Sequence, residues 1–401
     1  MIWDALTLQL GYNATLVTIG ACFLGVAAGV TGTFLYLRKR ALVSDAISHA
    51  TLPGVGLAFM AMVALGGDGR NLPGLLFGSA VSAGLGLLCV NWLTRRTRLA
   101  EDAAIGAVLS VFFGFGIVLL TVIQNMSAGR AAGLEGFLLG STAGMLWNDA
   151  MVIAGGGVLT LVLVMILRRP MSHVAFDPEF AASSGVNVAR IDLAIMGLAM
   201  AVTVVGLKIV GLILIVAMLI IPPVTARFWT NRTDLMVLIS GTCGGIAAWV
   251  GAALSASAPS LPTGPIIVLV SFAMFAVSLF LAPNRGVLAA ILRHRRFQRR
   301  VHLRQGLLAL AQGQPIYEAF TLRLLKRAGL ALSDGVATEA GKARAAKALR
   351  DEKRWELVRA DPLFESAAAL YDGLREIETV LTGDQIDEID NRIGGPKGVM
   401  S

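Results

Sequence analysis

Charge is scarce in this sequence. Lys, Arg, Asp and Glu together make up 15% of its 401 residues, against 56% hydrophobic. A soluble globular chain carries about a quarter charged residues, so the shortage excludes a soluble enzyme for most of the length. Cysteine is scarcer still. Cys22, Cys89 and Cys243 all sit in apolar runs, and an odd, scattered set excludes a disulfide framework. They read as small buried hydrophobes. Nucleotide and metalloprotease motifs are missing too. Gly341-Lys342 is the only Gly-Lys pair, and a phosphate-binding loop would need Gly at 336 and Ser or Thr at 343, where Val336 and Ala343 stand. There is no His-Glu-x-x-His. The chain is therefore expected not to be an enzyme, and any ATP hydrolysis belongs to a separate subunit. No basic stretch precedes the first apolar run, so no cleavable signal peptide is expected.

What is present is a succession of apolar runs close to the ~20 residues that cross a bilayer. They predict an all-α polytopic membrane protein of about eight or nine transmembrane helices over residues 1–285. Runs are expected at 14–37, through Asp45 and His49 to near Gly66, to about Leu93, and from Glu101 to Ile123. A weakly apolar, Gly-rich stretch at 131–147 suggests a short or re-entrant helix. A further run at 149–167 is expected to stop at Arg168-Arg169-Pro170. Stretches at 191–205 and 209–221 follow, the second ended by Pro222-Pro223, then 235–254 and 265–281. Basic clusters fall at 38–40, 95–98, 168–169, 227–232 and 285–300. Positive-inside bias places them all in the cytoplasm and accounts for most of the net charge of +8. Nucleic acid is thus not expected as a partner; membrane lipid is.

Asp45 and His49 stand four apart in a run otherwise suited to hydrocarbon. On a helix that spacing puts both side chains on one face. A carboxylate and an imidazole suit a divalent transition metal such as Mn, Fe or Zn, and ionisable groups inside a membrane usually face a bundle interior or a water-filled path. Two plainer readings stay open: Asp45 pairs with Arg38 or Arg40, or His49 is a core histidine bonded to a backbone carbonyl. Pro53-Gly54, just beyond, predicts a break or kink.

The stretch Arg40-Ala41-Leu42-Val43-Ser44-Asp45-Ala46-Ile47-Ser48-His49-Ala50-Thr51-Leu52-Pro53-Gly54 resembles the signature of the zinc/manganese/iron permease family of ABC importers, with Ser44 where that family commonly has Gly. Four more blocks resemble it in order: Glu101 to Gly106, Phe176 to Gly185, Val210 to Arg227, and Leu261 to Pro265. The resemblance implies the membrane subunit of an ATP-driven importer of divalent metal, in the bacterial inner (plasma) membrane. A second permease copy, an ATP-binding cassette subunit and an extracytoplasmic metal-binding protein are its implied partners. No permanently bound cofactor is implied; the transported metal ion would pass over Asp45 and His49. Asp177 can cap a short helix with Pro178 at its first position. The resemblance makes Phe176, Asp177, Pro178, Glu179, Ala181 and Gly185 the segment that docks on the ATPase. Two rivals are a gradient-driven metal transporter and a membrane-anchored metal-responsive regulator. Only ATPase docking gives the Phe176–Gly185 segment a role, and about nine helices are excessive for an anchor.

Residues 286–401 change to a charged composition with helical periodicity, expected to form a small cytoplasmic domain. Three helices, an Asp334-Gly335 turn and a helix from Glu339 suggest a winged helix, with Leu322–Leu330 as its recognition-type helix. Val336 to Gly341, Arg354-Trp355-Glu356 and Leu374 to Leu381 are similar to segments of iron- and manganese-dependent repressors. The positions of that family's metal ligands fall on Glu352, Arg375, Glu378 and Thr379, and only Glu378 keeps the family's own residue. The departures count against metal sensing of the repressor kind.

Overall fold

The computed structural model describes residues 3–4, 7–9, 11–67, 69, 71–126, 147–257, 261–332 and 334–394. The stretch at 131–147 lies outside them but for its last residue. The chain divides into two compact units, Met1–Ala289 and Ala290–Ser401, four residues beyond the boundary read from composition.

The first unit is a helical bundle. Its described helices are α1 (Tyr12–Leu37), α2 (Ala41–Ala64), α3 (Leu72–Arg96), α4 (Glu101–Asn125), α5 (Trp147–Phe176), α6 (Pro178–Ser183), α7 (Val188–Val210), α8 (Leu212–Trp229), α9 (Thr233–Ala256) and α10 (Thr263–Leu281). Eight of them are long and apolar enough to cross a membrane; α8 is the shorter apolar helix. Polar side chains start several of them. Asn71 accepts from the Gly74 amide to open α3, and Asn187 from the Arg190 amide to open α7.

Two expected helix ends are overturned. α5 runs on through Pro170 to Phe176, and α8 through Pro222-Pro223 to Trp229. A proline in mid-helix forfeits one main-chain hydrogen bond, but membrane helices tolerate it where neighbours and local adjustment compensate. α2 likewise continues through Pro53-Gly54 to Ala64.

Helix pairing gives the bundle two seams. α1 packs on α9, α5, α8 and α7, while α2 packs on α3 and α4. The α1–α9 seam is built from small residues: a Cβ at Gly25 or Gly244 would lie closer than 3.0 Å to main-chain atoms of the facing helix. Ser240 donates its hydroxyl to the Gly29 carbonyl at 2.6 Å across the same seam. Close approach of this kind, with an interhelical hydrogen bond, is how helices associate where lipid removes the hydrophobic drive.

The second unit holds α11 (Val287–Ala311), which starts just before it, then α12 (Ala319–Arg327), α13 (Glu339–Ala360), α14 (Glu365–Ala368), α15 (Gly383–Gly394) and two short 3-10 turns. Two helices, not three, precede the Asp334-Gly335 turn, and the pairing around it is a single bridge between Ala331 and Ala337. The winged-helix reading is not supported by this order. Fully buried Trp355 centres a small core with Phe364, Ile377 and Ile389.

Candidate metal site and cytoplasmic-loop helix

α2 buries most of its surface but leaves a stripe through Leu42, Asp45 and His49. The two polar side chains share that stripe because they are one turn apart. His49 Nε2 lies 3.5 Å from Asp45 Oδ1. Two ligand atoms each about 2.1 Å from one ion at a tetrahedral angle would be about 3.4 Å apart, so the pair can chelate without leaving its helix face. Phe113 of α4 packs edge-on against the imidazole, with ring centroids 4.9 Å apart, and holds its plane. Among the described residues, His49 Nδ1 is buried without a hydrogen-bond partner. Pro53 has no N–H for the His49 carbonyl, its helical acceptor four residues back.

Neither plainer reading finds a supporting contact among the described residues. The imidazole is not tied to a backbone carbonyl, and the nearby arginines are engaged elsewhere. Arg38 reaches Asp192 of α7 at 2.8 Å and donates to the Val174 carbonyl of α5 at 2.9 Å. Arg40 pairs with Glu101 at 3.0 Å and with Asp192 at 3.5 Å. Asp192, missed from the sequence, is the acid that ties the α1–α2 corner to α7, while Glu101 and the Val174 carbonyl tie the same two arginines to α4 and α5. Its signal was an isolated carboxylate just inside an apolar run, the kind of residue that must be paired.

One carboxylate and one imidazole are only two donors, fewer than a transition-metal ion takes. Among the described residues no group of three or more His, Cys, Asp or Glu side chains is placed to hold a metal. The second unit adds none at the repressor-like positions. Glu352 bonds Arg304 and Tyr371, Glu378 pairs with Lys347 at 3.1 Å, and Thr379 donates to the Glu376 carbonyl.

The other candidate segment forms one compact device. Asp177 caps α6 by accepting from the Phe180 amide at 2.8 Å, and Pro178 occupies the first turn. Gly185 closes it with φ +83°, and the Val186 amide returns to the Ala181 carbonyl. Phe176 and Phe180 are about 60% exposed, Glu179 is exposed, and Ala181 is wholly buried. Ala181 therefore seats the helix against the bundle, while the phenylalanines face outward.

A bundle with eight membrane-length helices among the described residues, an acid–imidazole pair on the open stripe of one of them, and a capped surface helix between two others define a polytopic membrane protein of the transport type. The model of the ABC 3 transport family matches residues 12–282, and the chain belongs to that family. It is 39% identical over 310 residues to the manganese transport system membrane protein MntC of Bacillus subtilis (strain 168), covering 77% of this chain and 70% of that one. It is 38% identical over 285 residues to the zinc transport system membrane protein TroC of Treponema pallidum (strain Nichols), covering 71% and 94%. The solved structure of PsaBC from Streptococcus pneumoniae in complex with Fab is similar at a TM-score of 0.62 and 31% identity, over 71% of this chain and 98% of that one.

Proposed function

We propose that this chain is the membrane subunit of an ATP-driven importer of divalent transition metal, and that Asp45 and His49 are its half of the ion site. The carrying observation is the pair itself: two donors 3.5 Å apart on an open helix stripe, with the neighbouring arginines committed to Asp192 and Glu101. Names of relatives point to manganese and zinc, and an oxygen–nitrogen pair accepts either, as it accepts iron. Two ligands hold a dication too weakly for transport, so the same pair from a second permease copy completes the site. An exposed Phe176–Phe180 patch on a capped helix suits docking of a separate ATP-binding subunit, and an extracytoplasmic metal-binding protein delivers the ion. The chain lies in the bacterial inner membrane with its second unit in the cytoplasm.

The test is uptake of radiolabelled Mn and Zn by the assembled transporter at matched expression. His49→Ala removes one ligand and Asp45→Asn removes the charge that offsets desolvation of the ion. Each is expected to lower uptake at least tenfold, with Asp45→Asn no milder than His49→Ala. His49→Gln separates ligation from packing, since it keeps bulk and polarity but lacks an imidazole. Near-normal uptake by Asp45→Asn and His49→Ala would end the ligand assignment.

A further inference from the structure

Two cavities meet on the face of the bundle where α5 and α9 flank α1. The first, about 370 Å³, is walled by apolar side chains of α1, α5 and α9, among them Val30, Leu161, Met165 and Leu238. The second, about 500 Å³, is polar and reaches the start of α6 at Phe176. Arg168, Ser172, Thr233 and Asp234 line both, so an apolar slot opens into a polar mouth at the level of a basic cluster. This slot is lined by the helices packed on α1, not by the α2–α3–α4 seam that carries Asp45 and His49.

The mouth carries both signs of charge. Arg168, Arg169 and His173 come from α5, Asp234 from the first turn of α9, and Asp177 from the α6 cap. Two guanidinium groups face two carboxylates. Asp177 is occupied in capping α6. Asp234 is 84% exposed and only 3.7 Å from Arg168, a distance too long for a tight hydrogen bond. A purely anionic headgroup would meet Asp234 with like charge. A headgroup with a phosphate and, a few ångströms away, a primary ammonium satisfies both signs: guanidinium binds phosphate, and an ammonium offers three donors to a carboxylate. A trimethylammonium offers none.

We infer that this slot binds a zwitterionic aminophospholipid of the ethanolamine class, with an acyl chain along Val30, Leu161, Met165 and Leu238, its phosphate on Arg168 and Arg169, and its ammonium on Asp234. The argument uses the cavity and its charges, not the metal pair; the mouth borders the Phe176–Phe180 patch proposed for ATPase docking, so the test uses the chain without that subunit.

Native mass spectrometry of the full-length chain, titrated with phosphatidylethanolamine, phosphatidylglycerol and phosphatidylcholine of identical acyl chains, tests it. Wild type is expected to retain the ethanolamine lipid several-fold better than either other. Asp234→Asn should move the preference toward phosphatidylglycerol by on the order of tenfold, the change that about 1.4 kcal/mol produces. The Arg168→Gln/Arg169→Gln pair should weaken all three. Met165→Trp or Leu238→Trp, both at exposed positions, should fill the slot and weaken the ethanolamine lipid. Glycerophosphoethanolamine, which has the headgroup but no chains, should not compete at equal concentration. Equal retention of the three lipids, a preference untouched by Asp234→Asn, or full competition by the chainless headgroup overturns the assignment. So does a change in oligomeric state on Met165→Trp or Leu238→Trp, which would make this face an interface between copies.

Discussion

Asp192 shows how much one carboxylate can hold. It is nearly buried and neutralises Arg38, itself only 15% exposed, while sharing Arg40 with Glu101. Asp192→Asn leaves the Arg38 cation with a carbonyl but no anion. Stranding one member of a buried pair costs about 3–5 kcal/mol, and the residual exposure puts this case at the lower end. A drop of several degrees in the thermal midpoint of the detergent-solubilised protein is expected, with partial recovery in Asp192→Glu. Arg38→Lys should also destabilise, because a single ammonium cannot span the Val174 carbonyl and Asp192 as the forked guanidinium does.

Asp390 of the second unit is a second residue with a readable consequence. Arg354 grips both its oxygens, at 2.6 and 2.5 Å, and holds its carboxyl below the usual range. A depressed carboxylate stabilises the folded state above its unfolded value near 4, and that contribution is lost as pH falls through the folded value. Burial pushes Asp351 the other way, so its small opposing effect is relieved over the acidic range. Hydrogen exchange in peptides spanning 347–394 of the full chain, corrected for intrinsic rate, is expected to rise from pH 7 to pH 3. Asp390→Asn should raise exchange already at pH 7 and flatten that dependence.

At the level of elements, the glycine seam between α1 and α9 and the closure of α6 make opposite demands. A side chain at Gly25 would collide with the main chain of α9, which no rotamer can relieve. Gly25→Leu should therefore fail to give a monodisperse protein, whereas Gly155→Leu, whose Cβ meets nothing within 4 Å, should behave as wild type in size-exclusion chromatography. Gly185 also has open space around it but a positive φ. Gly185→Val strains only the closing turn after α6, at a cost of about 1–2 kcal/mol. It should leave the thermal midpoint nearly unchanged while lowering metal-stimulated ATP hydrolysis of the reconstituted complex; unchanged hydrolysis would count against docking at α6.

These elements also mark what the sequence made legible. The membrane runs, the Asp45/His49 face and the Asp177-Pro178 cap are local patterns, set by periodicity and by residues within four positions of each other. The Arg38–Asp192 pair joins positions 154 apart, which no local pattern announces. Pro170 and Pro222-Pro223 misled because a proline is a breaker in water, where a lost main-chain bond is not made good by packed neighbours.

On the scale of the whole molecule, the ABC 3 match ends at residue 282, and the second unit has its own core around Trp355. Its acids at the repressor-like positions are engaged by arginine, tyrosine and lysine. A chain truncated after Ala289 is accordingly expected to insert and to bind as much Mn as the full chain, by metal analysis after dialysis. Loss of stoichiometric metal on truncation would assign a site to the second unit.

The α1–α9 seam has a mechanical meaning. Where two helices touch through side chains, they can slide or ratchet as rotamers interchange. Where main chain rests on main chain, as at Gly25 and Gly244, no such gearing exists. With the Ser240–Gly29 hydrogen bond across the same seam, α1 and α9 are expected to move as one strut. If the ion path runs beside Asp45 and His49 as proposed, any alternation that opens it first to one side of the membrane and then to the other is expected to be borne by the remaining seams, with this pair as the fixed frame against which they turn.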